Sequence, residues 1–236
     1  MPKKNIVLTN KDFIQAGPCV FVYPKELTHH GNVRVNVKHE RSKYKGVEII
    51  FPYNLNIKGD LDVSTASHIF FTDIDECNIS GNLISNNTCT FWCHNTTHIW
   101  WNLIAHIINL PDMSHLDVAG DIIWVQWIRW DSLNCKGNMY SNQPDSDGVD
   151  IDLSCLRVAG IIDQATDIVV TMWMDVGEIQ WYHSITARNI IVWKVDSKWF
   201  APCDPHQIIA TWSIDLPWVD KHTEIFTITP YKPISS

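Results

Sequence analysis

The sequence predicts an all-β chain built as a right-handed β-solenoid. It would be a β-helix-like stack of coils of about 20 residues, with non-repeating strands at both ends. Three observations predict it. One short phrase recurs along the chain, its glycines recur at a spacing near that coil length, and no segment holds a sustained helical period.

The phrase reads apolar, any, apolar, any, Gly, Asp/Asn, apolar. It occurs as Leu55-Asn56-Ile57-Lys58-Gly59-Asp60-Leu61 and as Cys77-Asn78-Ile79-Ser80-Gly81-Asn82-Leu83. It returns as Leu116-Asp117-Val118-Ala119-Gly120-Asp121-Ile122 and Leu133-Asn134-Cys135-Lys136-Gly137-Asn138-Met139. Weaker copies surround Gly160 and Gly177, and Ile99-Trp100-Trp101-Asn102-Leu103 fits with Trp in place of Gly. The glycines at 59, 81, 120, 137, 160 and 177 are 22, 39, 17, 23 and 17 residues apart, and Trp101 splits the 39 into 20 and 19. Apolar residues at alternate positions face inward on a strand. The glycine then supplies a bend or a positive φ, and the Asp/Asn beside it suits a turn.

Between the phrases lie second strand-like runs, His68-Ile69-Phe70-Phe71, His98-Ile99-Trp100-Trp101 and Asp167-Ile168-Val169-Val170. His68 and His98 fall at equivalent strand starts, which predicts a structural role. Trp124, Trp127 and Trp130 have i, i+3 spacing, but their Ile and Val neighbours favour strand over 121–130. A β-sandwich or jelly roll is the alternative, since it too has many short strands. Recurrence of one phrase favours the solenoid.

The expected organisation is a single domain, 1–236, with a basic N-terminal cap or arm (1–50), a solenoid body (51–199) and a Pro-rich C-terminal cap (200–236). Residues 1–50 hold nine Lys/Arg against four Asp/Glu, and the remaining residues nine against 22. The net charge of −8 therefore divides into +5 and −13. Such a body repels phosphate, which argues against nucleic acid there. The apolar stretch from Ile99 to Leu110 is interrupted by Asn102, His106 and Asn109 and falls short of the ~18 residues of a membrane helix. The first residues lack the apolar core of a signal peptide. Cytoplasmic synthesis is expected, with a virion as one destination and no membrane contact. The seven scattered cysteines then read as buried thiols, and the sequons at Asn78, Asn86 and Asn95 as chance matches in Asn-rich turns.

Four groups of residues carry candidate chemistry. Cys89, Cys93, His94 and His98 are of zinc-ligating types, yet on a strand Cys89 and Cys93 share a face that His94 does not. Asp145 and Asp147 precede Gly148 as in a calcium loop, but Gln143 and Ser154 stand where an EF-hand needs its first and last ligands. Asp73, Asp75 and Glu76 are the carboxylates to consider for glycoside cleavage, with turn acids as the plainer reading. Trp100, Trp101, Trp124, Trp127 and Trp130 are the candidate binding residues. About half of the twelve tryptophans are expected in the core as filler, with one of Trp100 and Trp101 facing in and the other out.

No Gly-rich phosphate loop, Gly-x-Ser-x-Gly elbow or His-Glu-x-x-His occurs, and no cofactor is called for. The expectation is a non-enzymatic structural or interaction protein that self-assembles or binds a protein partner, the basic arm of one subunit lying on the acidic body of the next. In this the chain resembles viral or phage assembly components as a class. One alternative is a glycan-binding or polysaccharide-degrading β-helix. Another is an acidic decoy that inhibits a nucleic-acid-binding protein.

Overall fold

A computed structural model describes residues 4–38, 46–141, 149–180, 184–196, 206–215 and 223–227. The side chains of 112, 113, 124, 193–196, 206–215 and 223–227 are not described. Strands fill these segments, joined by one 3-10 turn at Asn10–Asp12, and none of the described residues is in an α-helix. No helix among them is long and apolar enough to cross a membrane. The strands stack as the parallel coils of a β-solenoid, as the phrase predicts.

Each coil has three sides. In one coil these are His68–Ile74, Cys77–Ile79 and Leu83–Ile84. In the next they are Thr88–Cys93, Thr96–Ile99 and Leu103–Ile104, each paired in parallel with its predecessor. In later coils the strands run on through the corners, as in Ile107–Val118, Trp127–Cys135 and Val149–Asp163.

The register stacks like on like. Ile49, Ile69, Cys89, Ile108, Ile128, Ile151, Ile168 and Ile185 form one inward column on the first side. Leu27, Leu55, Cys77, Thr97, Leu116, Leu133 and Leu156 form one on the second. Val33, Leu61, Leu83, Leu103, Ile122 and Met139 form one on the third. Phe51, Phe71 and Phe91 stack with centroids 5.8 and 5.0 Å apart. The buried side chains make one continuous core from Leu8 to Val192. Thr97, buried within a Leu column, donates its hydroxyl to Cys93 Sγ.

The corner between the second and third sides explains the phrase. The side-chain oxygen of each Asp or Asn accepts the backbone N–H of its counterpart in the next coil. The ladder runs Asn5, Asn32, Asp60, Asn82, Asn102, Asp121, Asn138 and on to Ile161, at 2.7–3.3 Å. The glycines there stack on one another, and among the described glycines only Gly31 has a positive φ. What the position requires is space. A β-carbon on Gly81 would lie 2.6 Å from the carbonyl carbon and oxygen of Gly59.

The stack also extends past the expected boundaries. Val20–Val22, Leu27–His29 and Val33–Asn36 pair in parallel with Glu48–Phe51, Leu55–Ile57 and Leu61–Asp62. Residues 20–36 are therefore a coil, and Arg34 is spent on Asp62 at 3.4 Å. At the other end, His206–Asp215 and Thr223–Thr227 continue the parallel ladder. The non-repeating N-terminal element is shorter than expected. Ile14–Gln15 runs antiparallel to Phe21 and Val22, while Phe13 closes over Tyr23 and Phe51. Asp12 Oδ2 holds this cap by accepting the Thr9 N–H at 2.7 Å.

Candidate interaction surface

Every tryptophan whose side chain is described (Trp92, Trp100, Trp101, Trp127, Trp130 and Trp173) is exposed, from 40 to 62%. The expected division into buried and outward indoles does not hold for them. The inward columns repeat at the strand spacing of about 4.8 Å. At that spacing aliphatic chains and parallel phenyl rings stack rung on rung. Trp100 and Trp101 both face out because they sit at a bend beyond Thr96–Ile99, where strand alternation has ended.

The five candidate tryptophans are not brought together. Trp127 lies on the first side, where its Nε1 donates to Asp150 Oδ2 at 2.9 Å and Arg129 sits 4.8 Å from the ring centroid. Trp130 lies at the first corner. Its register partners Leu110 and Leu153 are buried, but its φ of 95° turns the indole outward. Trp100 and Trp101 mark the second corner, with Trp101 in the glycine column. Trp124 falls on the third side, in Ile122–Val125, and its side chain is outside the described ones.

The first corner assembles a set that the sequence reading missed in part. Tyr53, Trp92, Trp130 and Trp173 stand there with Met172, all exposed. Register places these aromatic residues in every second coil. At about 4.8 Å per coil they rise about 10 Å along the stack axis from one to the next. They stand at different positions around the bend: Trp92 pairs with Thr72, Trp130 with Leu110, and Trp173 with Cys155 at the start of the second side. Aligning copies of the phrase and reading the residues before each would have exposed this ridge.

The carboxylates of Asp73, Asp75 and Glu76 share that corner. Asp73 has a φ of 55° and lies 4.0 Å from His94 Nε2. The N–H groups of Asp75 and Glu76 both donate to Asn54 Oδ1, and Glu76 accepts from Asn78 Nδ2 at 2.6 Å. These acids ring the outside of a bend and do not face one another across a cleft, as paired glycosidase carboxylates do.

The candidate metal ligands separate. Cys89 and Cys93 point into the core, where burial pushes the Cys89 thiol up to about 12 and raises Cys93 as well. A buried protonated thiol is a poor ligand. His94 is exposed beside Asp73, and His98 sits on the second side. Among the described residues no three His, Cys, Asp or Glu side chains are arranged so that they could hold a metal ion. Asp145 and Asp147 lie outside the described residues.

His68 and His98 do not occupy equivalent places. His68 is on the first side, its Nε2 within 2.9 Å of Thr90 Oγ1, and burial lowers its pKa. His98 Nδ1 lies 3.3 Å from Asp117 Oδ2, and Asp117 Oδ1 is 3.1 Å from His115 Nε2 and 2.9 Å from Asn134 Nδ2. Next to this group His98, Ile99, Trp100, Asp117, Ala119 and Lys136 line a shallow open depression.

No protein-family model, curated protein or solved structure matches the chain.

Proposed function

We propose that this chain is a non-enzymatic structural or interaction protein, of the viral or phage assembly type, whose working surface is the first-corner ridge. The observation that carries this reading is the recurrence of Tyr53, Trp92, Trp130 and Trp173, exposed, in every second coil of a stack whose core is complete without them. Exposed aromatic clusters of this kind serve as contact hot spots. Asp73, Asp75 and Glu76 at the same corner favour a partner surface with basic groups.

The contact is assigned to a second copy of the chain, whose residues 1–50 carry a net charge of +5. Residues 20–36 belong to a coil, so in this reading the basic N-terminal part of one copy meets the acidic ridge of the next from within the stack and not as a free arm. Light-scattering mass measurement across a concentration series, at low and high salt, tests this. Full-length protein should associate as concentration rises, and Trp92→Ser/Trp130→Ser should remain monomeric. A monomer under every condition, or association untouched by the double substitution, overturns it.

A further inference from the structure

We infer that the second corner carries a binding subsite for a neutral pyranose sugar, with Trp100 as its stacking platform. The inference stands apart from the assembly reading, because it uses a different corner and different residues.

Five residues follow one another up this corner in successive coils: Lys58, Ser80, Trp100, Ala119 and Lys136. Their order is fixed by backbone bonds from the N–H groups of Ser80, Trp100, Ala119 and Lys136 to the carbonyls of Ile57, Ile79, Ile99 and Val118, at 2.8–2.9 Å. Trp100 and Lys136 are long, and Ala119 between them is short. Two coils separate the indole from the lysine, about 10 Å at the strand spacing. The methyl group of Ala119 leaves that interval open, which is the origin of the depression.

One wall is polar and held in place. The His98 imidazole rests on Asp117 through Nδ1, which leaves Nε2 without a partner among the described residues. His115 and Asn134 hold the Asp117 carboxylate from the other side. Lys136 is exposed and has no ion pair among the described residues.

An indole, an imidazole edge, an oriented carboxylate and an ammonium group around one shallow interval suit a ligand with one flat C–H face and a rim of hydroxyls. A purely apolar ring would displace water from Lys136 and His98 without replacing its hydrogen bonds. A polyanion would meet an acidic body whose net charge is −13. A neutral pyranose meets both conditions, its face on Trp100 and its hydroxyls on His98, Asp117 and Lys136.

The test uses the full-length chain titrated with cellohexaose and N-acetylchitohexaose as neutral probes and oligogalacturonate as the anionic one. Binding is read by calorimetry and by the Trp100 indole N–H resonance, assigned with Trp100→Phe. Saturable binding of a neutral probe that shifts this resonance is expected. Trp100→Ala should weaken it at least about tenfold, a loss of ~1.4 kcal/mol. Lys136→Met should weaken it less, and Trp92→Ser/Trp130→Ser should leave it unchanged. Absence of binding to both neutral probes, binding indifferent to Trp100→Ala, or binding of oligogalacturonate alone overturns the inference. The last two substitutions also separate it from the assembly reading, which depends on Trp92 and Trp130 and not on Trp100.

Discussion

Asp60 Oδ1 accepts the backbone N–H of Asn82 from the following coil at 2.8 Å, and the Asn82 side-chain amide reaches the same oxygen at 3.0 Å. One acid thereby satisfies two donors at a corner that no strand ladder covers. Asp60→Ala leaves the Asn82 N–H without its partner and should cost ~1–3 kcal/mol in urea unfolding. Asp60→Asn keeps an accepting oxygen and should cost much less. Equal losses for the two substitutions would refute the ladder as a source of stability.

The glycine stack makes a sharper demand. In Gly81→Ala the new β-carbon meets backbone atoms of Gly59, which cannot rotate away as a side chain can. The coils must part locally, and overpacking of this kind costs ~1–3 kcal/mol. Gly17→Ala is the control, because its β-carbon would be 3.4 Å from Val20 Cγ2, an ordinary contact. The midpoint of thermal unfolding should fall for the first and barely move for the second.

Phe71 is sandwiched between Phe51 and Phe91 with no exposed surface. Phe71→Ala removes a ring from a continuous column and should destabilise by ~3–5 kcal/mol. Phe71→Leu retains much of the volume and should cost less. Chemical denaturation of the two variants checks the order.

Burial holds the thiols of Cys89 and Cys135 at about 12, against an ordinary 9.0. The folded state therefore favours the protonated form. The stability this contributes is complete below pH 9 and is lost as pH rises toward 12, because the unfolded chain ionises first. Native protein at neutral pH should leave both residues unlabelled by a thiol reagent that reacts fully after denaturation. Rapid labelling of either in the native state would contradict their burial.

Much of the fold was legible, for a local reason. Each phrase copy contains three inward positions, the close-packed glycine and the ladder acceptor, so its recurrence marks the corner of every coil. The copy Leu27-Thr28-His29-His30-Gly31-Asn32-Val33 is masked in the sequence, because His29 stands where the other copies carry Ile, Val or Cys. At the end of the stack that imidazole reaches the Lys4 carbonyl at 2.6 Å, a partner that an interior coil does not offer. A glycine in the phrase suggests conformational freedom, whereas what it supplies is clearance between coils.

The surfaces were less legible. Alternation correctly separated Cys89 and Cys93 from His94, all near one strand. It failed for Trp100 and Trp101, which lie at a bend. The grouping of His98 with His115 and Asp117 joins consecutive coils, and only alignment of whole coils shows His98 and Asp117 in the same phrase position.

From Gly31 through Trp101 to Gly177, successive rungs of the corner are 28, 22, 20, 19, 17, 23 and 17 residues apart. The chain never has to close a much longer loop to gain its next contact, so the entropy lost per coil is nearly constant. Folding can then begin at any pair of coils and spread in both directions, like a zip with no fixed end. A severe lesion near Gly120 would stop that spread and leave two short stacks on either side. Such a variant would melt in separate steps where the intact column melts as one.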